Sequence, residues 1–271
     1  MCTIGAVFSE GRLNTFKQCD LIPITHFNEP DVRAGRNGVG SYVAMTRQGG
    51  RVWAGYNDQG VSFVAADAYT TTAANYYATD DQVNALFTAY EDSISSYRTA
   101  PEAAESLANF YRTMGGNTPF PAPDISLITG WADAQRTRQV AIFIEYMPTP
   151  FNQSPVRQIV RSDGFFVSTN NFRLQPNAVD YPANHSTYLR LDRAEKILQN
   201  DPTLRGVKTL LSDQYYGRTE LSICRETDYP GVEFQTQATA LFTASRDELM
   251  CEYQINGNPA NNPLRIFGAR P

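Results

Sequence analysis

The sequence has few histidines and lacks the paired cysteines of a zinc site. Its two histidines, His26 and His185, are too few for a histidine-rich metal centre. Its four cysteines form no CxxC pair and no zinc-finger spacing. The sequence spacing of Cys224 and Cys251 permits a disulfide between them, although a cytosolic setting disfavours it. We therefore expect neither a metal nor an organic cofactor.

Long apolar runs and an excess of basic charge are also missing. No apolar stretch approaches the ~20 residues of a membrane span. The net charge of −5 leaves no basic stripe for a nucleic acid. The N-terminus lacks the basic and apolar segments of a signal peptide. We therefore expect a cytoplasmic protein that binds a small molecule rather than a nucleic acid or a membrane. A homo-oligomer remains open.

The chain does contain ample material for a packed core. It has 271 residues, of which 42% are hydrophobic. We find no internal repeat, low-complexity segment or linker, so we expect a single domain over residues 1–271.

Strand-like and helix-like segments come in separate blocks. The first block is rich in β-prone residues, with hairpin turns expected at Gly49-Gly50 and at 57–60. A helical period follows over 80–114, where Pro101 restarts the helix. Strands return at 125–130, 139–147 and 164–170, a second helical block spans 188–211, and strands close the chain. Such segregated blocks favour an α+β fold with antiparallel sheets.

Cys2 is the first candidate for chemistry, because it directly follows Met1. A small second residue permits removal of the initiator methionine, which would place a thiol and an α-amine on one residue. Their reference pKa values lie near ~8.5 and ~7.7–8.0, so the neutral amine can accept the thiol proton. Nucleophile and base would then share one residue. The alternative is a small residue that merely begins a strand.

Five short motifs, in order, extend this hypothesis over the whole chain. They are MCT, KQCD at 17–20, GYNDQGVSFVAAD at 55–67, STNNF at 168–172 and HSTYLRLDR at 185–193. Together they resemble the cysteine branch of the N-terminal nucleophile hydrolases. That branch includes choloylglycine (bile salt) hydrolase, penicillin V acylase and the acyl-CoA:6-aminopenicillanate acyltransferases. The resemblance implies a four-layer αββα sandwich, with two antiparallel sheets between helix layers.

The resemblance also implies roles for individual residues. Cys2 would be the nucleophile, and Asp20 would contact its amine. Lys17 stands where the family usually has arginine or glutamine, and its charge would favour the thiolate. Asn170 would stabilise the oxyanion, and Arg190 would reach the site from the start of a helix.

One position departs from the family pattern and bears on the substrate. Asp67 stands where the family has an asparagine that donates to the oxyanion, and an ionised carboxylate cannot donate. Asp67 could instead bind a substrate amine, or the alignment could be shifted. We place Asp67 and Tyr69 in the substrate pocket, together with Asn171 as the alternative to Asn170.

The expected activity is hydrolysis of a linear, non-peptide amide through an S-acyl intermediate on Cys2. Two alternatives stay open. One is transfer of an acyl group from a thioester or amide to an amine, and the other is a non-catalytic member of the fold that binds a ligand.

Overall fold

A computed structural model describes residues 2–68, 78–148, 155–175, 181–226 and 234–268. Within these ranges the chain forms two antiparallel sheets and four helices. The six-stranded sheet consists, in spatial order, of β10 (Phe165–Ser168), β1 (Cys2–Ser9), β2 (Arg12–Leu21), β11 (Gln235–Ala244), β12 (Leu249–Ile255) and β13 (Arg265–Phe267). The seven-stranded sheet consists of β3 (Asp31–Ala34), β4 (Ser41–Arg47), β5 (Arg51–Asn57), β6 (Ser62–Asp67), β7 (Asp124–Trp131), β8 (Gln139–Tyr146) and β9 (Val156–Arg161).

The helices form two pairs, one for each sheet. They are α1 (Asp80–Ser95), α2 (Ala100–Thr113), α3 (Ser186–Asn200) and α4 (Leu204–Leu211). Capping boxes start α1 and α2, at Thr79 with Gln82 and at Thr99 with Glu102, which satisfies backbone donors of the first turn.

Three apolar layers hold these elements together. Side chains such as Ile4 and Phe143 fill the space between the two sheets. Leu107 of α2 packs on the outer face of the seven-stranded sheet, and Leu198 of α3 packs on that of the six-stranded sheet. The expected α+β fold with its αββα layers is therefore confirmed.

The turn between β1 and β2 sets the register around Cys2. Glu10 and Gly11 both have positive φ, 53° and 72°, as a two-residue hairpin turn of the primed type requires. Ser9 pairs with Arg12, and counting back along both strands places Cys2 opposite Cys19.

Three short edge strands, β3, β9 and β13, were not anticipated from the sequence. They carry few buried apolar side chains, and β9 is partly or fully exposed throughout. Their strand conformation depends on pairing with the neighbouring strand, which a local pattern does not reveal. In the described part of the chain, no helix is long and apolar enough to cross a membrane.

Candidate active site

Cys2 lies at the start of β1, in the interior of the six-stranded sheet. It is 3% exposed and is flanked by β2 on one side and by β10 on the other. Because Ile4 pairs with Ser168 at the end of β10, the segment that follows β10 runs alongside Cys2. This topology brings Asn170 to the nitrogen of Cys2.

Asn170 is fully buried, and both ends of its side-chain amide are engaged. Its Oδ1 accepts hydrogen bonds from the Cys2 nitrogen at 2.8 Å and from Arg190 Nη2 at 2.9 Å. Its Nδ2 donates to the carbonyl oxygen of Asp67 at 2.7 Å. Asn170 thus fixes the nitrogen of Cys2 relative to the end of β6.

Arg190 holds the backbone of Cys2 from the helix side of the sheet. It is fully buried on α3, and its Nη1 donates to the Cys2 carbonyl at 2.8 Å and to Thr3 Oγ1 at 3.2 Å. Its Nε donates to Ser186 Oγ at 3.2 Å, one helical turn earlier. These bonds fix the backbone of Cys2 relative to α3.

Asp20 joins the same region through a second buried arginine, Arg225. The two side chains are both fully buried, and Arg225 Nε lies 3.5 Å from Asp20 Oδ2. Thr236 Oγ1 donates to Asp20 Oδ1 at 2.8 Å. Arg225 Nη2 also donates to Ser186 Oγ, so Ser186 bridges the two arginines. Asp20 is thus linked through Arg225 and Ser186 to Arg190.

The sequence analysis did not identify Arg225 as a residue of the site. It lies outside the five motifs, in the loop before β11, and meets Asp20 across more than 200 positions of sequence. Only the pairing of β2 with β11 brings this loop to the site.

Lys17 lies on the same face of β2 as Cys19, since side chains two positions apart share a face of a strand. Lys17 is 6% exposed, and its Nζ donates to the Trp53 carbonyl at 3.3 Å and lies 5.4 Å from the centre of the Trp53 ring. Lys17, Cys19 and Cys2 all line one cavity.

The thiol of Cys2 is strongly acidic in this setting. A hydrogen bond from the Cys19 thiol and the charge of Lys17 lower the pKa of Cys2 to about 6, against burial, which raises it. The pKa of Cys19 is correspondingly raised, because its proton is held by the Cys2 sulfur. Cys2 is therefore the thiolate of the pair. The sequence analysis missed Cys19, although the hairpin turn at Glu10-Gly11 already implies its place opposite Cys2.

The cavity has a volume of about 170 Å³ and passes from Cys2 to the side of the seven-stranded sheet that α1 covers. Asp67, the last residue of β6, is exposed and lines it. Asn171 lies elsewhere: its Oδ1 accepts from Thr169 and Thr187, and the residue is not part of the described cavity lining. Tyr69 lies outside the described residues.

The described residues contain no group of three or more His, Cys, Asp or Glu side chains that could hold a metal ion. The titratable groups that line the cavity are instead the thiols of Cys2 and Cys19, the cations Lys17 and Arg47, the carboxyl groups Asp67 and Asp124, and the Tyr90 hydroxyl.

Comparison with known proteins gives no match to a family model or to a curated protein sequence. Solved structures do match. A Cys2→Ala variant of conjugated bile acid hydrolase from Clostridium perfringens aligns with a TM-score of 0.54 at 12% identity, covering 100% of this chain and 97% of that one. An arginine-to-leucine variant of the same hydrolase aligns at 0.51 and 11% identity, covering 99% and 97%.

A third structure, penicillin V acylase from Agrobacterium tumefaciens, covers 98% of both chains at 13% identity, with a TM-score of 0.48. At such low identity the likeness to the bile acid hydrolase concerns the fold. The chain has the N-terminal nucleophile hydrolase fold that the five motifs implied.

Proposed function

We propose that this protein is an N-terminal cysteine amidohydrolase that cleaves a linear, non-peptide amide bond. One observation carries the proposal: the Cys2 thiol lines a cavity while its nitrogen and carbonyl are held by Asn170 and Arg190. A merely structural residue at the start of a strand needs neither the cavity nor the fully buried arginine.

The relative acidity of two groups on Cys2 sets the first step. After removal of Met1, the α-amine has a reference pKa of ~7.7–8.0. The Cys19 hydrogen bond and the charge of Lys17 lower the pKa of the thiol, so we assign the proton to the amine near pH 7. The thiolate then attacks the substrate carbonyl, and the ammonium protonates the leaving amine. Water hydrolyses the resulting S-acyl enzyme with the amine as base.

Asn170 supports two parts of this step. Its Oδ1 accepts from the Cys2 nitrogen and so holds the ammonium in place to protonate the leaving amine. An amide NH2 carries two donors, and one is used by the Asp67 carbonyl. We assign the second to the oxyanion, with backbone N–H groups as further donors.

The charged residues divide into two roles. Arg190 and Asp20 position the nucleophile from the buried side, Asp20 through Arg225 and Ser186. Lys17 acts from the cavity side, where its charge stabilises the thiolate. Asp67 lies where a substrate group can reach it.

The substrate class that we propose is a small acyl amide or thioester, processed in the cytoplasm. The mechanism uses only protein groups and water. Transfer to an amine instead of water would use the same acyl enzyme and differ only in the second step.

The test is the intact mass of the protein after brief incubation with a panel of acyl amides and thioesters. We expect Met1 to be absent and one acyl mass to appear on Cys2 in the folded protein, but not in a urea-unfolded control. Cys2→Ala should gain no mass. Adding an acceptor amine distinguishes hydrolysis from transfer by the product formed. Retention of Met1 on the purified protein, or an adduct that forms equally when unfolded, would contradict the proposal.

A further inference from the structure

The cavity that starts at Cys2 has a second, acidic wall. Asp67 on β6 and Asp124 on β7 are direct partners in the antiparallel register, and both line the cavity. Side chains at opposed positions of neighbouring strands lie on one face, with Cβ atoms ~4.5–5.5 Å apart. Two carboxyl groups therefore lie side by side in the lining of the cavity.

The two carboxyl groups have different surroundings. Asp124 is 2% exposed, and its Oδ2 accepts from the hydroxyls of Tyr90 (2.5 Å), Tyr111 and Ser126 (3.3 Å). Burial and, to a smaller extent, the charge of Asp67 raise the pKa of Asp124 to about 7, against the hydrogen bonds from Tyr111 and Tyr90 that lower it. The Asp67 carboxylate is exposed and makes no hydrogen bond or ion pair with another residue that the structure describes. Among the described residues, the Asp67 carboxylate therefore has no directly bonded partner of opposite charge.

An independent observation comes from Trp53, which lines the cavity near Cys2. Trp53 is 2% exposed, and its indole N–H has no acceptor within the described ranges. A buried donor without a partner costs about 1–3 kcal/mol. Such a donor calls for an acceptor on a ligand, so a polar oxygen is expected near Trp53.

The middle of the cavity is apolar and small. Leu86, Phe87 and Phe120 contribute to its lining. Its volume of about 170 Å³ is close to the ~150 Å³ of an engineered apolar cavity that binds benzene. A group about the size of one aromatic ring therefore fits in this cavity.

We propose that the cavity accepts an acyl group that carries a positively charged amino group on a body of about one ring, with the ammonium against Asp67 and Asp124. An ammonium has three donors and no acceptor, which matches this wall. Asn170 binds the Asp67 carbonyl, so the wall begins beside the nucleophile and the ammonium lies close to the scissile carbonyl. The inference rests on the proposed function, because it names the acyl class that Cys2 would take.

The first test labels Cys2 without requiring a substrate. Three methanethiosulfonates differ in the charge of the group they transfer: aminoethyl, methyl and sulfonatoethyl. In each case the thiolate attacks the thiosulfonate sulfur, forms a mixed disulfide and releases methanesulfinate. Rates are measured from the mass of the Cys2 peptide and divided by the rate for free cysteine.

We expect the cationic reagent to exceed the neutral one by roughly tenfold in this normalised ratio, and the anionic one to fall below it. Asp67→Asn should lower the ratio severalfold. Asp163→Asn, which removes the same charge from an exposed turn outside the cavity lining, should leave the ratio unchanged. Equal normalised rates for the cationic and neutral reagents would overturn the inference.

The second test uses three p-nitroanilides that share a phenyl ring and differ at the α-carbon. Phenylglycine carries an ammonium there, mandelic acid a hydroxyl and phenylacetic acid a hydrogen. We expect the highest kcat/KM for the phenylglycine compound, and a lower ratio to phenylacetic acid in Asp67→Asn.

The outcomes separate the inference from the proposed function. A preference for the phenylacetyl compound that Asp67→Asn does not alter leaves the amidohydrolase in place and overturns the cationic acyl group. A folded protein whose Cys2 resists all three thiosulfonates overturns the proposed function as well. If none of the anilides is cleaved, the reagent ratio still decides the question of charge.

Discussion

The two sides of Cys2 differ in how their charges are compensated. On the α3 side, Arg190 is fully buried with hydrogen-bond partners on Cys2, Thr3, Asn170 and Ser186. On the cavity side, the Lys17 ammonium has one 3.3 Å bond to a carbonyl and a contact with an aromatic ring among the described residues.

The groups on the α3 side hold Cys2 in place, whereas the groups on the cavity side stay available to react. A satisfied buried network fixes one geometry, because each group would lose its partners in any other. Charges left without full partners beside a cavity cost folding stability and stay available to a substrate or a thiolate. We therefore expect mutations on the α3 side to act first on stability, and those on the cavity side to act first on Cys2.

The largest effect is expected from Arg190→Met on the α3 side. The change strands several buried acceptors, including the Cys2 carbonyl, at about 1–3 kcal/mol each. We expect the free energy of unfolding to fall by roughly 3 kcal/mol or more, as measured by urea titration. Arg190→Lys should rescue little, because lysine lacks the planar fork.

Arg205→Met is the matched control for this change. Arg205 is an exposed arginine paired with Asp201 one turn away. The Arg205→Met protein should unfold at the same urea concentration as the wild type. An Arg190→Met protein that also unfolds there would remove the distinction between the two sides.

The next effect is expected from Cys19→Ala on the cavity side. The hydrogen bond from Cys19 is the largest contribution that lowers the pKa of Cys2. The pH midpoint of Cys2 alkylation should lie near 6 in the wild type and rise toward the ordinary thiol value of ~8.5 in the variant. At pH 6 the alkylation rate should therefore fall by about tenfold or more.

Cys19→Ser tests whether the hydrogen bond causes that shift. Serine keeps a donor at the same position, so its midpoint should stay below that of the alanine variant. Identical midpoints for the serine and alanine variants would assign the low pKa to the charge of Lys17 instead.

A smaller loss is expected from Ser186→Ala, which breaks the bridge between the buried arginines. Ser186 Oγ accepts from Arg190 and Arg225 and donates to the Glu220 carbonyl at 2.7 Å. We expect a loss of about 1–2 kcal/mol in urea unfolding, since other bonds to both arginines remain. Ser212→Ala, at a partly exposed hydroxyl after α4, is the control and should change little. If the Ser186 bridge contributed nothing to stability, Ser186→Ala and Ser212→Ala would have the same free energy of unfolding.

The same comparison explains what the sequence could predict. Turns at Gly49-Gly50 and 57–60 follow from local residues, as do the helices around Pro101. The resemblance named residues by motif, and the structure brings Asn170 and Arg190 to Cys2.

The residues that the sequence analysis missed reach the site through strand register and through pairing between strands that are distant in sequence. Cys19 matters because it lies opposite Cys2, and Arg225 because β11 pairs with β2. The Cys2 nitrogen donates a hydrogen bond to Asn170 Oδ1, a partner that the sequence analysis did not name, and the expected contact of Asp20 with the free amine stays a prediction. A motif names a residue type, whereas which atom faces the nucleophile is decided by packing. Those role assignments stay predictions until the variants are measured.

The smallest effect, and the sharpest for the comparison, is expected from Lys17→Met. Methionine keeps an unbranched apolar side chain but removes a buried charge whose ammonium has one described hydrogen bond. Because burying a charge without a full set of partners is costly, the free energy of unfolding should stay the same or rise. The pKa of Cys2 should rise, since Lys17 lowers it, and alkylation at pH 6 should slow by roughly threefold to fivefold.

Arg47→Met removes another cation from the cavity lining, one that stacks on Phe87, and should leave the Cys2 midpoint unchanged. If Lys17→Met lost as much stability as Arg190→Met, Lys17 would belong with the groups that hold the site. If Arg47→Met slowed Cys2 equally, the effect would come from the overall charge of the cavity and not from the position of Lys17.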